Sequence, residues 1–153
     1  MRENTPIVIV DLQQRFDPNK KLLDAIKERA GEKKTVVQTK YTPDNQPFAG
    51  GVGCDQPIGG TDLLFPEIGT IIEKTGYGLD TDGTKKLKQL IGEAKEVEVC
   101  GMELDGSVLA ICFQLWDMGI RPIPIFELCG GQENRLEAQS ISKHIFGTSH
   151  QLI

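Results

Sequence analysis

Residues 96–119, EVEVCGMELDGSVLAICFQLWDMG, decide how the rest of the chain is read. Glu96-Val97-Glu98-Val99-Cys100 alternates into an apolar, β-branched strand that Gly101 ends. Val108, Leu109, Ile111, Cys112, Phe113, Leu115, Trp116 and Met118 then put apolar side chains on almost every side of a helix, the pattern of one buried against a sheet. Trp116 lies deep in that helix and is expected in the core, and Asp105 is the expected N-cap. Ser107 therefore falls in the first turn of a helix that follows a strand. Unpaired backbone N–H groups and the positive end of the helix dipole favour developing negative charge there, so the position suits a nucleophile.

Upstream, Pro6-Ile7-Val8-Ile9-Val10 is a continuous apolar run that stops at Asp11, as a buried parallel strand ending in a carboxylate would. A helix follows, with Pro18 near its start, Leu22, Leu23, Ile26 and Ala30 at helical spacing, and Gly31 as its stop. Residues 34–39, KTVVQT, read as a second strand, so the crossover is right-handed and the sheet parallel. Residues 41–66 are rich in Gly, Pro, Asp and Asn without periodicity and read as a lid or specificity loop. Residues 70–74, TIIEK, form a third strand ending in Lys74, and Leu87, Leu90, Ile91 and Ala94 mark the packing face of the next helix.

Downstream, residues 121–126, RPIPIF, read as a fifth strand. Pro122 and Pro124 are two apart, so both missing N–H donors lie on one side and the strand belongs at an edge. A last helix should turn Leu136, Ile141 and Ile145 inward and end at Gly147.

The 153 residues make one domain with a real core. A formal net charge of -5 opposes a general affinity for nucleic acid. No apolar run approaches membrane-spanning length, and MRENTPIVIVD lacks the plan of a signal peptide. A cytoplasmic protein with a small-molecule or protein partner, and with neither nucleic acid nor membrane, is expected. Cys54, Cys100, Cys112 and Cys129 form no CxxC pair and read as reduced thiols, with Cys129 able to face the ligand cleft.

Three strands thus end in Asp11, Lys74 and, across a short turn, Ser107. Ligands of open parallel sheets bind beyond the strands' carboxyl ends, where the strand order reverses. A carboxylate, an ammonium and a hydroxyl collected there can make one site. PIVIVDLQQRF (6–16), IIEKTGYG (71–78) and VCGMELDGSVLAICFQLWDMGIR (99–121) resemble the three signature blocks of the isochorismatase-like cysteine hydrolases, which include nicotinamidases and related amidases. The resemblance runs over nearly the whole chain. It implies an α/β fold of three layers, with a mostly parallel five-stranded sheet in the order 3-2-1-4-5. It also implies a small-carboxamide substrate, no cofactor and a homo-oligomer, either dimer or tetramer. By the same resemblance Asp11 is the general base, Lys74 its supporting cation and position 107 the nucleophile. A cis peptide is expected at Met102-Glu103, with the backbone N–H groups of Glu103 and Ser107 as the oxyanion hole. Phe16 matches a pocket-lining position, and Tyr77 and Cys129 are further pocket candidates.

Two departures qualify the resemblance. Family members read G-x-x-T-D-x-C-V where this chain has Gly101-Met102-Glu103-Leu104-Asp105-Gly106-Ser107-Val108, with serine in the cysteine's place. An alcohol is far harder to deprotonate than a thiol of pKa ~8.5. Serine nucleophiles ordinarily use a histidine, and neither His144 nor His150 lies in a matching block. The expectation is an amidase of weak or no activity, the serine being either a natural loss or an introduced replacement. Metal-binding nicotinamidases also follow their second strand with Asp-x-His, whereas Thr39-Lys40-Tyr41-Thr42-Pro43 offers no ligand pair, so no metal is expected. Two alternatives stay open: hydrolysis of a vinyl ether of the isochorismatase kind, which needs no thiol, and a non-catalytic ligand-binding protein of the same fold.

Overall fold

A computed structural model describes residues 2–42 and 60–148. Five strands, β1 (Ile7–Val10), β2 (Val36–Tyr41), β3 (Thr70–Lys74), β4 (Glu96–Gly101) and β5 (Arg121–Cys129), form one sheet in the order β3-β2-β1-β4-β5. Every pairing is parallel. Helices α1 (Lys20–Gly31), α2 (Thr81–Ile91), α3 (Leu109–Asp117) and α4 (Arg135–Phe146) flank the sheet. This is the three-layer α/β fold in the 3-2-1-4-5 order. β1 is the central strand and all four of its residues are buried, which explains its unbroken run of β-branched side chains. The strand order reverses on either side of β1, so the crevice above β1 and β4 is the expected ligand position.

β5 lies at the edge that its two prolines require, with Pro122 opposite Val97 and Pro124 opposite Val99. It runs three residues beyond the expected end, through an irregularity after which Gly101 pairs with Cys129. Gly101 has φ 118, and a side chain there would collide with the Val10 carbonyl, so glycine lets β4 pass close to β1.

Three expectations are corrected. β2 runs from Val36 to Tyr41, not from residue 34 to 39, because its ladder with β3 continues to Tyr41 opposite Lys74 and a side chain serves its other edge after β1 has ended. The Gln13 amide accepts from the Tyr41 N–H (2.9 Å) and donates to the Tyr41 carbonyl (2.9 Å). The inward face of α4 is Ala138, Ser142 and Phe146, with Ile145 half-buried against the core as expected, while Leu136 and Ile141 are 77% and 41% exposed. Arg135 sets that phase by donating to the carbonyls of Phe126, Cys129 and Gly131 at the end of β5. Trp116 is 45% exposed and not core. Ile111, Cys112 and Leu115 already fill the buried side of α3, which leaves Phe113 and Trp116 to flank the Phe146 ring of α4 at 5.3 and 5.7 Å.

The core also holds a buried charge cluster. Glu98 on β4 is fully buried, and its carboxylate accepts two bonds from Arg29 (2.9 and 2.7 Å) and one from Lys33 (2.8 Å), joining α1 and the turn after it to the sheet. Cys100, Cys112 and Cys129 are buried free thiols; Cys54 lies outside the described residues.

Candidate active site

Asp11 follows β1 directly, in a left-handed backbone conformation (φ 49) that aspartate tolerates better than most residues. Its N–H donates to the Thr39 carbonyl (3.2 Å) and hydroxyl oxygen (3.1 Å) of the neighbouring strand. In return, the Thr39 hydroxyl donates to Asp11 Oδ1 at 2.7 Å. Asp11 Oδ2 lies 2.8 Å from Lys74 Nζ. Lys74, the last residue of β3, also donates to the Gly76 carbonyl (2.8 Å) and to Ser107 Oγ (3.2 Å). The ammonium thus donates to a carbonyl and a hydroxyl and lies in ion-pair contact with a carboxylate. Asp11, Lys74 and Ser107 are brought together from three strand ends, and they are 0%, 1% and 6% exposed.

Burial sets the electrostatics. It pushes the Asp11 carboxyl above the usual carboxylate range, although Lys74, Thr39 and Ser107 all favour the charged form. It draws the Lys74 ammonium below the usual lysine range, against the pull of Asp11. The Tyr41 ring, also buried, lies beneath Lys74 with Nζ 5.0 Å from its centroid, and the Arg15 guanidinium lies 5.2 Å from the same ring. Burial, with Tyr77 and Asp11 adding to it, raises the Tyr41 hydroxyl despite Arg15.

Ser107 sits in a wide π turn, Leu104–Val108, that precedes α3, and not in the first turn of that α-helix. Asp105 is not the N-cap. Glu103 occupies that position and caps through its backbone, its carbonyl accepting from the N–H groups of Gly106 (3.0 Å) and Val108 (3.2 Å). The Asp105 carboxylate instead accepts from the Asn134 side chain at 3.2 Å. The Met102-Glu103 peptide bond is cis.

The remaining candidates divide. Tyr77 is 60% exposed and stands within van der Waals reach of a side chain placed at Gly106, beside the serine turn. Phe16 and Cys129 line a cavity of about 640 Å³ together with Met102 and Glu103; Asp11, Lys74 and Ser107 are not in its wall. Cys129 donates to the Ile125 carbonyl at 3.2 Å, and burial pushes its thiol up to about 12, so it carries no thiolate at neutral pH. Burial, with Asp105 and Glu133 adding to it, also raises the Glu103 carboxyl. His144 is exposed on α4, and His150 lies outside the described residues. So do residues 43–59 of the expected lid.

Among the described residues no group of three or more His, Cys, Asp or Glu side chains could hold a metal ion. At the end of β2 the cations Lys74 and Arg15 flank the Tyr41 ring, a setting that does not fit a divalent cation. Thr39, Tyr41 and Arg15 did not stand out in the sequence. Their common signal is position: Thr39 is opposite Val10 in the register, and Tyr41 is opposite Lys74.

The 3-2-1-4-5 parallel sheet with helices on both faces is the α/β fold of solved isochorismatase-like hydrolases. Comparison with solved structures gives the particular neighbours. The pyrazinamidase of Pyrococcus horikoshii in complex with zinc is similar at TM-score 0.77 and 20% identity, covering 97% of this chain and 99% of that one. The nicotinamidase PncA from Bacillus subtilis is similar at TM-score 0.74 and 16% identity, over 95% and 97% of the two chains. An isochorismatase-like hydrolase from Alkaliphilus metalliredigens is similar at TM-score 0.67 and 15% identity, over 94% and 92%. No protein-family model and no curated protein matches the sequence.

Proposed function

We propose that this protein hydrolyses the C–N bond of a small carboxamide through an acyl-enzyme formed on Ser107. One observation carries the reading: the buried Lys74 ammonium touches Asp11 (2.8 Å) and Ser107 (3.2 Å) at once, so a charge pair and a nucleophile share one protected spot. Ser107 Oγ attacks the amide carbon while the Asp11–Lys74 pair handles its proton. The N–H groups of Glu103 and Ser107 hold the oxyanion; those of Leu104, Gly106 and Val108 are spent on backbone carbonyls. Phe16 and Tyr77 supply apolar wall. A homo-oligomer in the cytoplasm accompanies the reading, and light scattering on the purified protein measures its mass.

A hydroxyl is a slower nucleophile to activate than a thiol, so Ser107→Cys is expected to raise turnover. The test is ammonia release from a panel of small amides by the protein and by Ser107→Cys, with Asp11→Ala as control. Release that Asp11→Ala abolishes supports the proposal; no release by either active-site form refutes it.

A further inference from the structure

We infer that Lys74 takes the proton of Ser107, with Asp11 as its proton store, so that the serine is a working nucleophile of the serine–lysine kind and not a disabled cysteine position. The inference rests on the acyl-transfer reading above and adds to it which residue serves as base.

Lys74 Nζ is 3.2 Å from Ser107 Oγ and 2.8 Å from Asp11 Oδ2, so one nitrogen touches both groups, while Ser107 also stands close enough to Asp11 to favour its charged form. The only described histidine, His144, is exposed on α4 and no part of this cluster. A carboxylate is a weak base toward an alcohol, whereas a neutral amine is a strong one, and serine–lysine pairs do this work on unrelated folds. Lys74 is neutral when its proton rests on Asp11. That shift spans the 2.8 Å ion-pair contact and leaves the net charge of the pair unchanged. Burial narrows the gap between the two forms, because it raises the Asp11 carboxyl and lowers the Lys74 ammonium. The Thr39 hydroxyl orients the carboxylate. Among the described residues, the other titratable groups near the pair are the Tyr41 hydroxyl, Tyr77 beyond it and Arg15 across the Tyr41 ring.

The step balances. A proton passes from Nζ to Asp11 Oδ2. Ser107 Oγ gives its proton to the free amine as it bonds to the carbonyl carbon, and the C=O π pair moves onto the oxygen. On collapse the C–N bond breaks toward nitrogen, which takes the proton from Nζ and leaves as the amine or ammonia. Water then gives a proton to Nζ and adds to the acyl carbon. The ester C–O bond breaks, Oγ recovers the proton, and the Asp11 proton returns to Nζ.

p-Nitrophenyl acetate is the probe, read as the burst of p-nitrophenolate and as an acetyl adduct mapped to residue 107 by mass spectrometry. The protein is expected to acetylate at Ser107. Lys74→Arg keeps a cation beside Asp11, but its guanidinium does not release a proton. It should slow acetylation by roughly 10²–10⁴-fold. In the Ser107→Cys protein the same change should cost less than about 10-fold, because a thiol can give its proton to Asp11. Equal losses in the two backgrounds would make Lys74 a cation only and overturn the inference. Acetylation of Ser107→Cys but not of the serine protein overturns it too, and leaves the acyl-transfer reading standing; acetylation of neither overturns both. Should the arginine disturb folding, as judged by circular dichroism, Lys74→Ala with added methylamine or methylguanidinium replaces it. Rescue by methylamine alone supports Lys74 as base, and equal rescue by both refutes it.

Discussion

Replacing Thr39 by valine tests whether the carboxylate of the site is held by its neighbour strand. Thr39→Val keeps side-chain volume and β-branching but deletes the hydroxyl that donates to Asp11 Oδ1 at 2.7 Å. A hydrogen bond to a buried charged group contributes about 1.5–3 kcal/mol. No second loss is added, because the Asp11 N–H keeps the Thr39 carbonyl at 3.2 Å. Valine returns a few tenths of a kcal/mol through its strand preference. The expected cost is about 1.5–2.5 kcal/mol, read from urea unfolding at neutral pH. The Thr39 bond lowers the Asp11 pKa, so its removal makes the carboxyl hold its proton to higher pH. Two pH effects follow: the destabilisation shrinks in acid, where Asp11 is protonated in both proteins, and the acid limb of acyl transfer moves upward. A stability change below about 0.5 kcal/mol with an unmoved acid limb refutes the assignment of Thr39 as a positioning residue.

Glu98→Gln removes the carboxylate that two cations share and should cost about 3 kcal/mol at neutral pH. Burial alone would raise the Glu98 carboxyl, but Arg29 and Lys33 outweigh it and hold it below its ordinary value. Its contribution is therefore present above the unfolded pKa and lost as pH falls through the folded one, so the unaltered protein should lose more stability than Glu98→Gln between about pH 5 and 3 in urea titrations. Cys100, Cys112 and Cys129 should resist iodoacetamide at mildly alkaline pH in the folded protein and react only after unfolding, as peptide mapping would show; labelling of Cys129 in the native state would contradict its raised thiol.

The sheet was legible where burial writes itself into composition. IVIV at β1 suits a strand buried on both faces, and Pro122 and Pro124 place β5 at an edge. The sequence missed what depends on one side chain reaching a distant backbone. Gln13 stands in for a strand beside Tyr41 where β1 has ended, and Arg135 grips the end of β5 from α4; neither leaves a periodic signal. Asp11, Lys74 and Ser107 were visible because each ends a strand or begins a turn, but Thr39 and Tyr41 look like ordinary members of a β-branched and aromatic strand. Their part in the site appears only with the register that sets Thr39 opposite Val10 and Tyr41 opposite Lys74. Trp116 failed as a core residue because an all-apolar helix has more faces than the sheet can cover.

The two buried charge clusters differ in a way that separates structure from chemistry. Glu98 and Asp11 are both fully buried carboxylates beside lysine, and burial works against the charged form of each. At Glu98, three bonds from Arg29 and Lys33 more than offset that cost, and the carboxyl stays below its ordinary range. At Asp11 they do not: Lys74 spends its hydrogen bonds on Gly76 and Ser107 and meets Asp11 only as an ion pair, and the carboxyl rises. A carboxylate held as Glu98 is can only stay ionised and fasten α1 to the sheet. One held as Asp11 is, beside an amine drawn down by the same burial, leaves the pair's proton free to change sides. Adding a second cation beside Asp11 would therefore steady the ion pair and slow acyl transfer, whereas removing Arg29 from Glu98 should lower stability and leave acyl transfer intact.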